Sequence, residues 1–123
     1  DGKSVWTLTR IEEAAAAFES KYGRPAKIAA LGLAFKPNID DLRESPALEI
    51  TGKLIAAGYE IMAVEPNLEE HHNIKLVPVD QAVERADILA VLVAHDRFQN
   101  LNTEGKFVLD FCGLLKYRMD PVG

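Results

Sequence analysis

Leu31-Gly32-Leu33-Ala34-Phe35-Lys36-Pro37-Asn38-Ile39-Asp40-Asp41-Leu42-Arg43-Glu44-Ser45-Pro46 joins two different hydrophobic rhythms. On its amino side, Lys27 to Leu33 is almost continuously apolar, as expected of a strand buried on both faces of a parallel sheet. On its carboxyl side, Leu48, Ile50, Leu54 and Ile55 supply the apolar face of a helix that ends at Gly58. Ser45 is placed to cap that helix and Pro46 to occupy its first turn, with Glu49 near the positive end of the helix dipole. Between the two elements lie the cations Lys36 and Arg43 and the carboxylates Asp40, Asp41 and Glu44. A strand that runs into a charged loop and then a helix is the usual ligand-binding corner of an open α/β sheet. The charge pattern predicts a site for a polar, anionic ligand.

Working outward, Leu8, Ile11, Ala15, Phe18 and Tyr22 recur at steps of three and four, predicting an amphipathic helix over residues 4–22 that Gly23 and Pro25 terminate. Its broad apolar face suits packing on the sheet, and the helix is also expected to continue from an upstream domain. Downstream, Tyr59 to Val64 reads as a strand and Ile74 to Val79 as a strand or an extended connection. A short helix is predicted from an Asp80 cap through Ala86, then a very hydrophobic strand from Ile88 to Val93. Another short helix is expected from His95-Asp96 to Leu101, and a last strand from Lys106 to Asp110. Strands alternating with helices predict an α/β Rossmann-like, doubly wound parallel sheet, preceded by the long amphipathic helix.

The 123 residues are one domain's worth of chain, with 48% hydrophobic and 27% charged residues, as in ordinary globular domains. A net charge of −5 argues against a general nucleic-acid or membrane-surface binder, so any bound anion must be held by a few local cations. No apolar run approaches the roughly 18 residues that a membrane span needs. The lone Cys112 cannot form an internal disulfide and fits a cytoplasmic setting. With no initiator methionine and a start inside a helical pattern, the sequence reads as a piece of a longer protein.

Lys36 offers a point charge to a phosphate or hydroxyl, whereas Arg43 offers a planar fork to a carboxylate or diphosphate. The alternative for Arg43 is an ion pair with Asp40, Asp41 or Glu44 that stiffens the loop. After the first strand there is one glycine, Gly32, where Gly-x-Gly-x-x-Gly would be needed to seat a dinucleotide pyrophosphate. This domain is therefore not expected to be a self-sufficient NAD site. Gly32 itself predicts a bend or a close backbone approach. His71-His72 reads as solvated loop rather than metal site, for want of further ligands at suitable spacing. Cys112 reads as a packing residue, and Asp96 as a helix cap rather than half of a catalytic His95-Asp96 pair.

The segment from Gly32 to Ala47 resembles the signature that opens the C-terminal domain of the UDP-glucose/GDP-mannose dehydrogenase family. Its Pro-Asn-Ile-Asp-Asp-Leu-Arg-Glu-Ser-Pro form is most similar to that of the members acting on UDP-N-acetyl-D-mannosamine. Further landmarks follow in order: Val64-Glu65-Pro66-Asn67, Ala86-Asp87-Ile88-Leu89, Val93-Ala94-His95-Asp96 with Phe98, and Val108-Leu109-Asp110.

The resemblance implies an NAD-dependent oxidation of a sugar C6 alcohol to a carboxylate in two steps. In such enzymes the glycine-rich NAD domain and the catalytic cysteine lie elsewhere, so no catalytic residue is expected in this chain. Residues 1–24 would connect to a central domain and residues 25–123 would form the C-terminal UDP-sugar-binding domain. By position, Phe35 and Lys36 would hold the UDP-sugar and Arg43 would reach NAD bound by the N-terminal domain. Where relatives carry a substrate-contacting Arg, this sequence offers Lys116, or Arg118 slightly later. The implied partners are the UDP-sugar, the enzyme's own N-terminal and central domains, and a second subunit in a homodimer. A stand-alone regulatory module shaped like a receiver domain is the alternative from another class. It would need a phosphorylatable Asp at a central strand end, and Leu33-Ala34 and Val93-Ala94 supply none.

Overall fold

The computed structural model describes residues 2–114. Helix α1 spans Gly2–Tyr22, close to expectation, and Gly23 leaves it at φ 73° while its N–H caps Glu19. Strand β1 (Lys27–Leu31) is followed by α2 (Pro46–Ala56) and β2 (Glu60–Val64). Then come α3 (Val79–Arg85), β3 (Ile88–Val91), one 3-10 turn (Asp96–Phe98) and β4 (Phe107–Asp110). The four strands are parallel, in the order β2-β1-β3-β4.

Both faces of this sheet are covered, which explains the uninterrupted apolar character of β1 and β3. Ile28, Ile88 and Ala90 face Ile11, Ala15 and Phe18 of α1 and Ile50 and Leu54 of α2. Ala29, Leu31, Leu89 and Val91 face Val79, Ala82 and Val83 of α3, together with Phe98 and Leu101. Helices on opposite faces make the domain doubly wound. The α1 helix lies on the domain's own sheet, while Val5, Trp6 and Tyr22 on it remain exposed.

Several local expectations need correction. On α2 the buried residues are Ala47, Ile50, Thr51 and Leu54, and Ile55 is exposed, because the helix is turned further towards its small residues. Asp80 lies inside the first turn of α3 and Pro78 holds the cap position; the Asp80 carboxylate meets Arg97 instead. Asp96 caps no helix either: His95 occupies that position before the 3-10 turn, with no side-chain cap. Residues 74–78 are mainly an extended connection, touching β2 through a bridge from Ala63 to Leu76, and Val79 already begins α3. The first strand ends at Leu31 rather than Leu33, and the third at Val91 rather than Val93.

Leu31 is registered with both Val64 and Val91, so the three strands end level. Their following segments converge between β1 and β3, the point where the strand order reverses and where open α/β sheets bind ligands. At the opposite end, Arg24 makes a two-pronged pair with Asp87, both contacts at 2.9 Å, and Asp87 also accepts the Lys27 N–H. That tie fixes the α1–β1 joint against the start of β3.

Gly32 shows why the convergence is tight. Its φ is +100°, and a Cβ there would lie 2.6 Å from the Val93 Cβ. Gly32→Ala should therefore lower stability by about 2 kcal/mol or more, through overpacking and left-handed backbone strain together. The urea midpoint reports this, and an unchanged midpoint would contradict the packing described.

Candidate functional site

The loop of residues 32–45 wraps over the carboxyl ends of β1 and β3, and its shape is set by one buried carboxylate. Glu65, directly after β2, is 3% exposed. Its Oε1 accepts the N–H groups of Leu33 at 2.9 Å and Ala34 at 3.1 Å, and its Oε2 accepts that of Asn67 at 3.0 Å. The fourth partner is His95 Nε2, 2.9 Å from Oε1, on a ring that is 1% exposed. His95 Nδ1 accepts the Asn38 N–H at 2.7 Å, so the ring proton sits on Nε2 and is donated to Glu65. Burial by itself raises the Glu65 carboxyl. The hydrogen bonds from His95, Leu33 and Asn67 outweigh it and hold the group below its ordinary 4.5.

The Asn38 side chain extends the arrangement by accepting the Asp96 N–H at 2.9 Å, and Asn67 Nδ2 donates to the Ile39 carbonyl at 3.2 Å. Asn38 adopts φ 64° and Glu44 φ 55°, two left-handed residues within one loop. Asn tolerates that conformation well, whereas Glu at this φ is strained by about 1 kcal/mol.

Phe35 and Lys36 stand together at the exposed tip, with Lys36 Nζ 5.8 Å from the Phe35 ring centroid. A cavity of about 400 Å³ opens beneath them between α1, the start of α2 and the end of β3; Phe35, Pro37, Ala47, Val93 and Phe111 are among its walls. Its size suits a small organic ligand. Lys36 stands outside this lining. Arg43 takes the alternative left open by its charge pattern: Nε and Nη2 grip both Asp41 oxygens, at 3.0 and 2.9 Å. The Phe35 N–H donates to the Asp41 carbonyl at 2.8 Å, so the Phe35-Lys36 and Asp41–Arg43 limbs of the loop are joined. Lys116 and Arg118 lie outside the described residues.

The sequence profile of the UDP-glucose/GDP-mannose dehydrogenase family, UDP binding domain, matches residues 29–117. The chain belongs to this family. It is 50% identical over 94 residues to the UDP-N-acetyl-D-mannosamine dehydrogenase of Campylobacter jejuni, covering 70% of this chain and 23% of that protein. The enzyme of the same name from Escherichia coli K12 is 39% identical over 127 residues, covering 93% and 30%. Among solved structures, the UDP-N-acetyl-mannosamine dehydrogenase of Staphylococcus aureus superposes with TM-score 0.65 at 27% identity, over 80% of this chain and 22% of that one. The chain thus spans under a third of the length of these curated relatives.

For NAD, the cofactor that a dehydrogenase family implies, the corner between β1 and α2 does not have the form of a dinucleotide turn. A dinucleotide turn passes directly from strand to helix, yet here residues 32–45 intervene between β1 and α2. The Leu48 N–H at the start of α2 is already taken by Ser45 Oγ at 3.1 Å. Among the described residues no three His, Cys, Asp or Glu side chains group as a metal site would. His71 and His72 stack at 4.5 Å, and no described helix is long and apolar enough to cross a membrane. Cys112 is exposed rather than packed in the core; partial burial of its thiol against the Val91 carbonyl, with Asp110 adding to the shift, pushes it up to about 11, so it stays protonated at neutral pH.

Sequence reasoning missed Glu65 as an organising group and His95 as its partner. Both stood in family landmarks, and a Glu placed just after a buried strand was the available signal. For Asp41, the side-chain and backbone hydrogen bonds from Arg43 hold the carboxyl down to about 2. A group lowered in the folded state stabilises it above the ordinary 3.8 and loses that contribution as pH falls through about 2. Carboxyl-resolved NMR titration should find Asp41 near that value, and Arg43→Ala should return it towards 3.8. An Asp41 that titrates normally in the unaltered chain would mean the fork is not formed in solution.

Proposed function

We propose that this chain is the UDP-sugar-binding C-terminal domain of a UDP-N-acetyl-D-mannosamine 6-dehydrogenase. The whole enzyme would oxidise the sugar C6 alcohol to a carboxylate in two NAD-dependent steps, and this domain would be inert alone. The observation that carries the reading is the presentation of Phe35 and Lys36 side by side on the loop at the strand-order reversal. That loop lies in a stretch matching a UDP binding domain.

In this reading Lys36 supplies charge to a phosphate or sugar hydroxyl, and the Phe35 ring supplies an apolar wall. Arg43 is 88% exposed while paired to Asp41, so its fork can turn towards NAD held mainly by the N-terminal domain. Lys116, or Arg118, takes the place of the family's later Arg and keeps its charge without the planar fork. Residues 1–24 lead from a central domain, and residues 25–123 form the domain proper. The exposed Val5, Trp6 and Tyr22 on α1 are the surface offered to that neighbour or to a second subunit of a homodimer. The setting is the cytoplasm. A second reading keeps the same domain in a UDP-N-acetylglucosamine or UDP-glucose 6-dehydrogenase, since the sugar is chosen largely by residues of the other domains.

Calorimetric titration of the chain with UDP, UDP-N-acetylmannosamine and NAD separates these roles. Weak binding of the uridine ligands, abolished by Lys36→Ala, is expected, with little heat from NAD. Tight NAD binding would overturn the assignment of the dinucleotide to another domain. Uridine binding that survives Lys36→Ala would remove Lys36 from the site.

A further inference from the structure

The buried Glu65–His95 pair grips the candidate substrate loop on both sides of its tip. On the amino side, Glu65 Oε1 holds the N–H groups of Leu33 and Ala34, the two residues before Phe35. On the carboxyl side, His95 Nδ1 holds the N–H of Asn38, two residues beyond Lys36. Pro37, between them, has no N–H to offer. The grips are mechanically one, because His95 Nε2 and Glu65 Oε1 are bonded at 2.9 Å. We propose that His95 is a positioning residue: its neutral, Nε2-protonated ring and Glu65 form a clamp that sets the Phe35-Lys36 tip for the UDP-sugar. The proposal rests on the functional reading above and deepens it.

The chemistry of the ring explains why a histidine stands here. Nε2–H must donate to a carboxylate while Nδ1 accepts from a backbone amide, and a neutral imidazole offers one donor and one acceptor on opposite sides of a rigid ring. An Asn side chain can place an oxygen near the Nδ1 position but cannot reach Glu65. A Gln side chain can place an amide near the Nε2 position but leaves Asn38 without its acceptor. Protonated imidazole also fails, since a second N–H would point at the Asn38 N–H and at Asn67 Nδ2, which is 3.5 Å from Nδ1. Burial strengthens the device on its Glu65 side, where Leu33, Ala34 and the His95 ring are closed to water, while Asn38 lies at the exposed rim.

The two half-mimics provide the test, made in the full-length enzyme. His95→Gln should keep exchange protection at Leu33 and Ala34 and lose it at Asn38; His95→Asn should keep more of it at Asn38. In steady-state assays His95→Gln should raise KM for the UDP-sugar roughly tenfold, as for one lost hydrogen bond to the positioned loop. Its kcat and its KM for NAD should stay within about twofold, the pattern of lost ground-state binding. Leu54→Ala, a core truncation in α2, serves as a control that lowers the unfolding temperature without moving KM. If His95→Gln lowers the unfolding temperature while leaving both KM and Asn38 exchange unchanged, the clamp is refuted. A parallel fall of kcat with every substrate would refute the positioning role as well. An unaltered enzyme that oxidises no UDP-sugar would count against the functional reading, and the Asn38 exchange result would still decide the clamp.

Discussion

A carboxylate with no access to water must be fully supplied with donors, and much of the structure at the carboxyl end of this sheet follows from how Glu65 meets that demand. An ion buried without partners is destabilising by several kcal/mol. Glu65 receives three backbone N–H groups and the His95 Nε2–H, so each oxygen is occupied. The chain leaving β1 can satisfy Glu65 only by passing close over β3, and that path requires Gly32 to sit against Val93 without a side chain. The same path presents Phe35 and Lys36 outward. One electrostatic requirement thereby fixes the backbone over several residues of loop that has no regular secondary structure of its own.

The two ends of the sheet are held by different means. At the amino end, Arg24, Asp87 and the Lys27 N–H form a partly exposed cluster, and Lys106 Nζ donates to the carbonyls of Glu84 and Ala86 at the close of α3. Exposed pairs of this kind contribute modestly and weaken with salt. At the carboxyl end the contacts of Glu65 with Leu33, Ala34 and His95 are buried and interlocked. Water competes with the first set and not with the Glu65–His95 contact, so the backbone that leaves β1 is the more rigidly specified. Left-handed backbone at Asn38 is held there by its N–H bond to His95 and its side-chain bond to the Asp96 N–H.

Arg43 combines a structural pairing with an open, solvent-facing position. Its fork is matched to Asp41 and its backbone N–H also meets Asp41 Oδ1, which makes a compact turn. The pair is nevertheless solvent-facing, and a strongly charged ligand can compete for a guanidinium in that position at small cost. Lys36 has the opposite character: apart from its loose approach to Phe35, it extends from a tip whose backbone is held below it. The domain offers one pre-paired cation and one presented cation on the same loop.

Local sequence was enough for the class of fold. The continuous apolar runs of β1 and β3, the helical recurrence along α1, Ser45-Pro46 at the head of α2 and the glycines at 23 and 58 act within windows of a few residues. Their consequences therefore survive without knowledge of the rest of the chain. The motif across residues 32–47 likewise marked the family and the loop. Tertiary structure alone decided that Arg43 pairs with Asp41 rather than Asp40 or Glu44, that Ile55 faces solvent, and that Glu65 and His95, 30 residues apart, share a proton-bearing contact. Those outcomes depend on β1, β2 and β3 ending level through the shared register of Leu31 with Val64 and Val91. Such alignment is a property of the assembled sheet, and no short window of sequence contains it.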